Sequence, residues 1–96
     1  MIEFSQKELA AFCRKHHIRK LAFFGSVLRD DFRSDSDIDV LVEFEAGHTP
    51  GFAFFNMQEE LSSILGREVD LCTPKFLSPY FRDKVIKEAR VQYAQV

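Results

Sequence analysis

Cysteine is scarce in this chain and long apolar runs are missing, and each shortage narrows what the protein can be. Cys13 and Cys72 are the only two cysteines among 96 residues, too few and too far apart for a zinc cluster or a disulfide framework. Their expected state is a pair of buried, reduced thiols in a cytoplasmic protein. No apolar run approaches the roughly 20 residues of a membrane-spanning helix. Met1-Ile2-Glu3-Phe4 lacks the basic and apolar regions of a leader. A soluble cytoplasmic protein with no membrane partner is expected. An excess of positive charge is missing too. The formal net charge is -2 with both signs mixed along the chain, which argues against a face built for nucleic acid or anionic lipid. A nucleotide bound through metal ions stays open. Repeats, linkers and low-complexity tracts are absent, so residues 1–96 are expected to form one domain.

What is present is ample core material. Apolar residues make up 46% of the chain and include 11 phenylalanines, which excludes a disordered segment. Ser5-Gln6-Lys7-Glu8 fits a capping box. Leu9, Phe12 and Cys13 follow on one helical face, predicting a helix from about Gln6 to His17. His16 and His17 at its end read as complements to the helix dipole. Leu21-Ala22-Phe23-Phe24, stopped by Gly25, reads as a buried strand, and a helical turn or two fits between Val27 and Phe32. Asp37 to Phe44 reads as a second strand, and Glu45 to Gly51 as a loop in which His48 is solvated. Phe52 to Leu65 has helical spacing through Phe55, Leu61, Ile64 and Leu65, with Gly66 as its stop. Glu68 to Cys72 alternates as a third strand, and a last helix from near Pro79 carries Phe81, Val85, Ile86 and Ala89. One small sheet flanked by helices is the expected packing.

The stretch FFGSVLRDDFRSDSDID, residues 23–39, concentrates the chemistry. In a strand Asp37 and Asp39 project the same way, roughly 6–7 Å apart. Their repulsion is relieved by a divalent cation, and Mg²⁺ favours one or two carboxylates together with phosphate oxygens. Asp70 on the third strand shares a face with Glu68 and Cys72, and joins the pair if the strands are neighbours. Three converging carboxylates suit two ions about 3.5–4 Å apart, as phosphoryl-type displacement requires. Gly25 lets backbone approach a phosphate, and a helix starting after it would aim N–H groups at an anion. Ser26 adds a hydroxyl and Arg29 a guanidinium. Each piece alone has a plain reading: an isolated Asp-x-Asp is usually a solvated strand end, Asp35 suits an Asx turn, and Asp30 and Asp31 suit solvent. Together they form a donor turn, paired acids and a third acid on the same face.

Gly25-Ser26, ten residues, then Asp37-Ile38-Asp39 resembles the signature of the nucleotidyltransferase superfamily related to DNA polymerase beta. Arg29, SDIDVLVEF, LGREVDL with Asp70, and EARVQY extend the likeness to the minimal nucleotidyltransferase (MNT) family over nearly the whole chain. The resemblance implies an α+β, two-layer fold with a small mixed sheet. It implies that Gly25, Ser26, Arg29 and Ser36 bind the nucleotide, that Asp37 and Asp39 ligate Mg²⁺, and that Asp70 completes the site as ligand or as activator of the attacking hydroxyl. ATP is the implied substrate, with two Mg²⁺ ions. Val27 and Leu28 stand where many relatives carry Arg and Ala.

Many similar small proteins are antitoxins paired with a HEPN-type ribonuclease toxin, some silencing it by adenylylating a tyrosine. Three functions follow from the resemblance: an adenylyltransferase acting on a partner protein, an antitoxin that masks its partner sterically, and a small-molecule nucleotidyltransferase. Larger relatives carry an extra helical domain for the acceptor. The 96 residues leave no room for one, which disfavours the third function and assigns the acceptor to another chain. Phe52, Phe54 and Phe55 cannot share one helical face, since positions 52 and 54 lie about 200° apart. They, like Phe76, Tyr80 and Phe81, are either core or a surface for a partner or a second copy.

Overall fold

The computed structural model describes residues 4–28 and 37–95 and, of Ser26, the backbone alone. Arg29 and Ser36, as well as Asp30, Asp31 and Asp35, lie outside the described residues. Helix α1 (Gln6–Lys15) opens on Ser5, whose Oγ accepts the Glu8 N–H at 3.2 Å, one half of the expected capping box. It ends two residues early. His16 leaves helical geometry, and His17 takes φ +57°, a left-handed conformation uncommon outside glycine but less so for His.

Strand β1 (Ile18–Phe24) follows, then a 3-10 turn (Gly25–Leu28), β2 (Ile38–Phe44), α2 (Ala53–Leu65) and β3 (Val69–Cys72). A second 3-10 turn (Pro74–Phe76), α3 (Pro79–Glu88) and β4 (Arg90–Ala94) complete the order. The strands lie as β3-β2-β1-β4. β1 is antiparallel to both β2 and β4, and β2 is parallel to β3. Parallel neighbours need a crossover, and α2 supplies it. The fold is α+β with a mixed sheet, as expected. No helix among the described residues is long and apolar enough to cross a membrane.

Alternation along the strands divides the sheet into two faces. Ile38, Val40 and Val42 of β2 and Leu21 and Phe23 of β1 are buried against Leu9, Phe12 and Cys13 of α1 and Met57, Leu61 and Leu65 of α2. Val27 and Leu28 also pack against this core, so the two departures from the family pattern serve packing. At the rim, His16 and Lys15 of α1 reach Glu60 of α2 at 2.9 and 3.3 Å. Burial raises the Glu60 carboxyl, but these two partners outweigh it and hold the group below its ordinary range.

Three sequence expectations are corrected. Strand β4 was not foreseen; Tyr93 pairs with Leu21 there and packs on the core. In α2 the buried row is Met57, Leu61 and Leu65, spaced four apart, so Phe55 points away and is 71% exposed. Helix α3 has the spacing of a core helix but no buried residue. It is tied down instead by Arg82, which donates to the carbonyls of Pro74 (2.9 Å) and Leu77 (3.3 Å).

Candidate functional site

The turn after β1, the start of β2 and β3 meet at one end of the sheet. Strand β1 must leave the sheet within one residue to free the end of β2, and Gly25 does this at φ +74°. The position strongly favours glycine. A Cβ built there would collide with the Asp39 carboxylate, besides being held in a left-handed conformation. The sequence reading assigned Gly25 to close approach of a phosphate; the structure shows close approach of Asp39. The turn is a single four-residue 3-10 helix. It offers backbone N–H groups but not the macrodipole of a long helix.

Asp39 is flanked on both sides. Its Cα partner on β1 is Phe24 and its partner on β3 is Asp70. Paired positions on adjacent strands lie about 4.8 Å apart and send their side chains to one face. Asp37 sits one residue before β2, two positions from Asp39 and thus on the same side. Asp39 is half-buried, while Asp37 and Asp70 are exposed. The sequence expectation that β2 and β3 are neighbours holds, and it joins the three acids on one face. Their carboxylate oxygens are not gathered within 4.8 Å of one another, however. A shared ion would have to draw them in by side-chain rotation.

Cys72 lies two residues beyond Asp70 on the same face and is half-buried rather than fully buried as expected. Burial, then the negative charges of Asp70 and Asp39, push its thiol up to about 11. Without a bound metal the thiol is neutral near pH 7. The three acids offer carboxylate oxygens, which hard cations such as Mg²⁺ take. The residues present fit the ion that the family resemblance implies.

A model of the nucleotidyltransferase domain matches residues 6–92. The chain belongs to the nucleotidyltransferase family. Within it, a Methanocaldococcus jannaschii protein provisionally named a protein adenylyltransferase is 36% identical over 75 residues, spanning 78% of this chain and 80% of the relative. Protein adenylyltransferase MntA of Thermococcus cleftensis is 35% identical over 72 residues, 74% of this chain and 71% of its own. A solved structure provisionally described as a minimal nucleotidyltransferase superposes with TM-score 0.71 at 34% identity, covering 88% of this chain and 85% of that one. A complex of tri-AMPylated Shewanella oneidensis HEPN toxin with its MNT antitoxin shares the fold. Its TM-score is 0.65 at 21% identity, with 94% and 70% covered. The family assignment makes this chain an enzyme of the nucleotidyltransferase class.

One group of side chains escaped the sequence reading, and one open alternative is resolved. His17 and His48, read as a helix-end charge and a solvated loop residue, stack face to face with centroids 3.9 Å apart beside Glu45. The aromatic residues divide. Phe54 packs edge-on against Phe76 at 6.0 Å, while Phe52, Phe55, Phe76, Tyr80 and Phe81 are largely exposed.

Proposed function

We propose that this chain transfers AMP from ATP to a tyrosine hydroxyl of a HEPN-type toxin in a Mg²⁺-dependent reaction, and so acts as an antitoxin in the cytoplasm. The observation that carries the reading is the register that sets Asp39 beside Asp70 and against the Gly25 turn. The names of the relatives supply the substrate class, and the AMPylated HEPN toxin bound to a protein of this fold supplies the acceptor.

Asp37 and Asp39 would hold the metal, with Asp70 completing the set. When bound, Mg²⁺ offsets charge on the entering and leaving oxygens of the α-phosphate. The turn Gly25–Leu28 presents backbone N–H groups to the triphosphate. Asp70, exposed at the rim, accepts the proton of the incoming tyrosine hydroxyl. Its oxygen then attacks the α-phosphorus in line, the new O–P bond forms, and the bond to the β-phosphate bridging oxygen breaks. Pyrophosphate leaves with that electron pair. In this reading residues 1–96 form one catalytic domain and the acceptor tyrosine is presented by the toxin.

Steric masking of the partner is the second reading, favoured by the exposed aromatics of α2, the second 3-10 turn and α3. Incubating the toxin with this chain, ATP and Mg²⁺ and recording its intact mass separates the two. Gains in AMP-sized steps that disappear with Asp39→Asn are expected. A tight complex without any mass gain would leave only masking.

A further inference from the structure

We propose that His17, Glu45 and His48 form a second metal site, selective for a divalent transition ion of the Zn²⁺ type, at the end of the sheet opposite the aspartates. The ring nitrogens of both histidines and a Glu45 carboxylate oxygen lie within 4.8 Å of one another. Donors on a tetrahedral zinc ion are roughly 3.4 Å apart; the distances already suit an ion, and the two stacked rings would swing open about their χ angles to aim both lone pairs at it. Two imidazoles with one carboxylate and a position left for water is a zinc donor set, unlike the all-oxygen set around Asp39. Glu45 lies six positions along the chain from Asp39, about 20 Å in extended backbone, so the two groups of donors cannot share an ion.

The backbone holds this set in place. Antiparallel pairing of Ile18 with Phe44 makes the residue before β1 a neighbour of the residue after β2. The Glu45 N–H donates to the His17 carbonyl at 2.8 Å, and the His48 N–H to the Glu45 carbonyl at 3.0 Å. The left-handed conformation of His17 turns its ring out of α1 and onto His48.

The carboxylate is oriented as a ligand would be. Gln95 Nε2 donates to Glu45 Oε2 at 2.5 Å, leaving Oε1 toward His17 Nδ1 at 3.9 Å. That gap is too long for a hydrogen bond. An outer partner fixing a ligating carboxylate is the usual second layer of a metal site. His16, one residue before, is engaged with Glu60 at 2.9 Å and stands apart from the set.

The test is imidazole NMR of the full chain titrated with Zn²⁺ at pH 7, in the parent and four variants. His17 and His48 resonances are expected to move together and saturate at one equivalent, with His16 unmoved. His48→Ala should abolish the response, and Gln95→Ala should weaken it about 10–100-fold. Asp39→Asn, which removes a donor of the other site, should leave it intact, as should Cys72→Ser. Unmoved His17 and His48 at tenfold excess Zn²⁺ would overturn the proposal. So would a response that survives His48→Ala or disappears with Asp39→Asn or Cys72→Ser.

Discussion

Replacing Gly25 by alanine tests whether this glycine serves the acids or merely the turn. Gly25 sits at φ +74° and Gly66, the stop of α2, at φ +69°. Alanine at either position meets the same left-handed backbone penalty, roughly 1–2 kcal/mol. The surroundings differ. A Cβ on Gly66 has nothing within 4 Å, whereas one on Gly25 strikes the Asp39 carboxylate and lies 3.2 Å from its Cγ. The obstructing group is the end of a side chain, so the backbone stays and the carboxylate swings aside. A side chain forced about 30° off its rotamer costs about 0.5–1.5 kcal/mol. Gly25→Ala is therefore expected to lose roughly 1.5–3.5 kcal/mol of stability, and Gly66→Ala roughly 1–2 kcal/mol. Each kcal/mol lowers Tm by roughly 4–8 °C in a domain of this size. The two variants should thus melt within about 2–12 °C of each other. Activity separates them far more sharply. Misplacing a catalytic group by about 1 Å can cost on the order of 10²-fold, so Gly25→Ala should lose at least that in the initial rate of AMP transfer. Gly66→Ala should keep the parental rate. Rates measured well below both melting points decide it: a folded Gly25→Ala at parental rate, or two equally inactive variants, would refute the argument.

The two thiols give predictions of a different kind. With its thiol pushed up to about 11 by burial and then by Asp70 and Asp39, Cys72 should react with iodoacetamide at pH 8.5 on the order of 100-fold more slowly than a free thiol. Asp39→Asn with Asp70→Asn should speed the reaction, and an unchanged rate would mean that burial alone holds the proton. Burial also pushes Cys13 up to about 12, against a small lowering from Arg14. The folded chain thus keeps protons that the unfolded chain loses near 9.0. Stability should be unaffected by these thiols below that pH and fall as pH rises from there toward 11–12. Denaturant midpoints between pH 8 and 11 check it, and a midpoint that rises across this window contradicts the burial of Cys13.

How much was legible in the sequence depended on the range of the signal. Asp37 and Asp39 are two residues apart, and strand alternation alone puts them on one side. Asp70 required a guess that β2 and β3 are neighbours, and the α2 crossover between parallel strands satisfied it. Local pattern failed where packing decides. The apolar spacing of α3 could not reveal that the helix leaves Phe81 and Ile86 exposed. Phe55 was as apolar as Met57, and only the direction in which α2 faces the sheet distinguishes them. His17, Glu45 and His48 are spread over 32 positions of the chain. No periodicity links them, because their meeting follows from the register of β1 on β2 and a left-handed turn at His17.

The position of β2 explains how so short a chain can place its acids. β2 lies inside the sheet, with β3 on one side and β1 on the other. Its backbone is therefore hydrogen-bonded along both edges, and Asp39 stands on a support that cannot shift without breaking two ladders. The neighbours divide the remaining work. β3 contributes Asp70 at the paired position, and β1 ends at Phe24 so that Gly25 can turn away beneath the Asp39 carboxylate. Each contribution is made by adjacent backbone rather than by long side chains reaching across a cleft. The acceptor is the one component that this arrangement does not hold. Asp37 and Asp70 are exposed at the rim, the side from which the acceptor of the proposed reaction would have to approach.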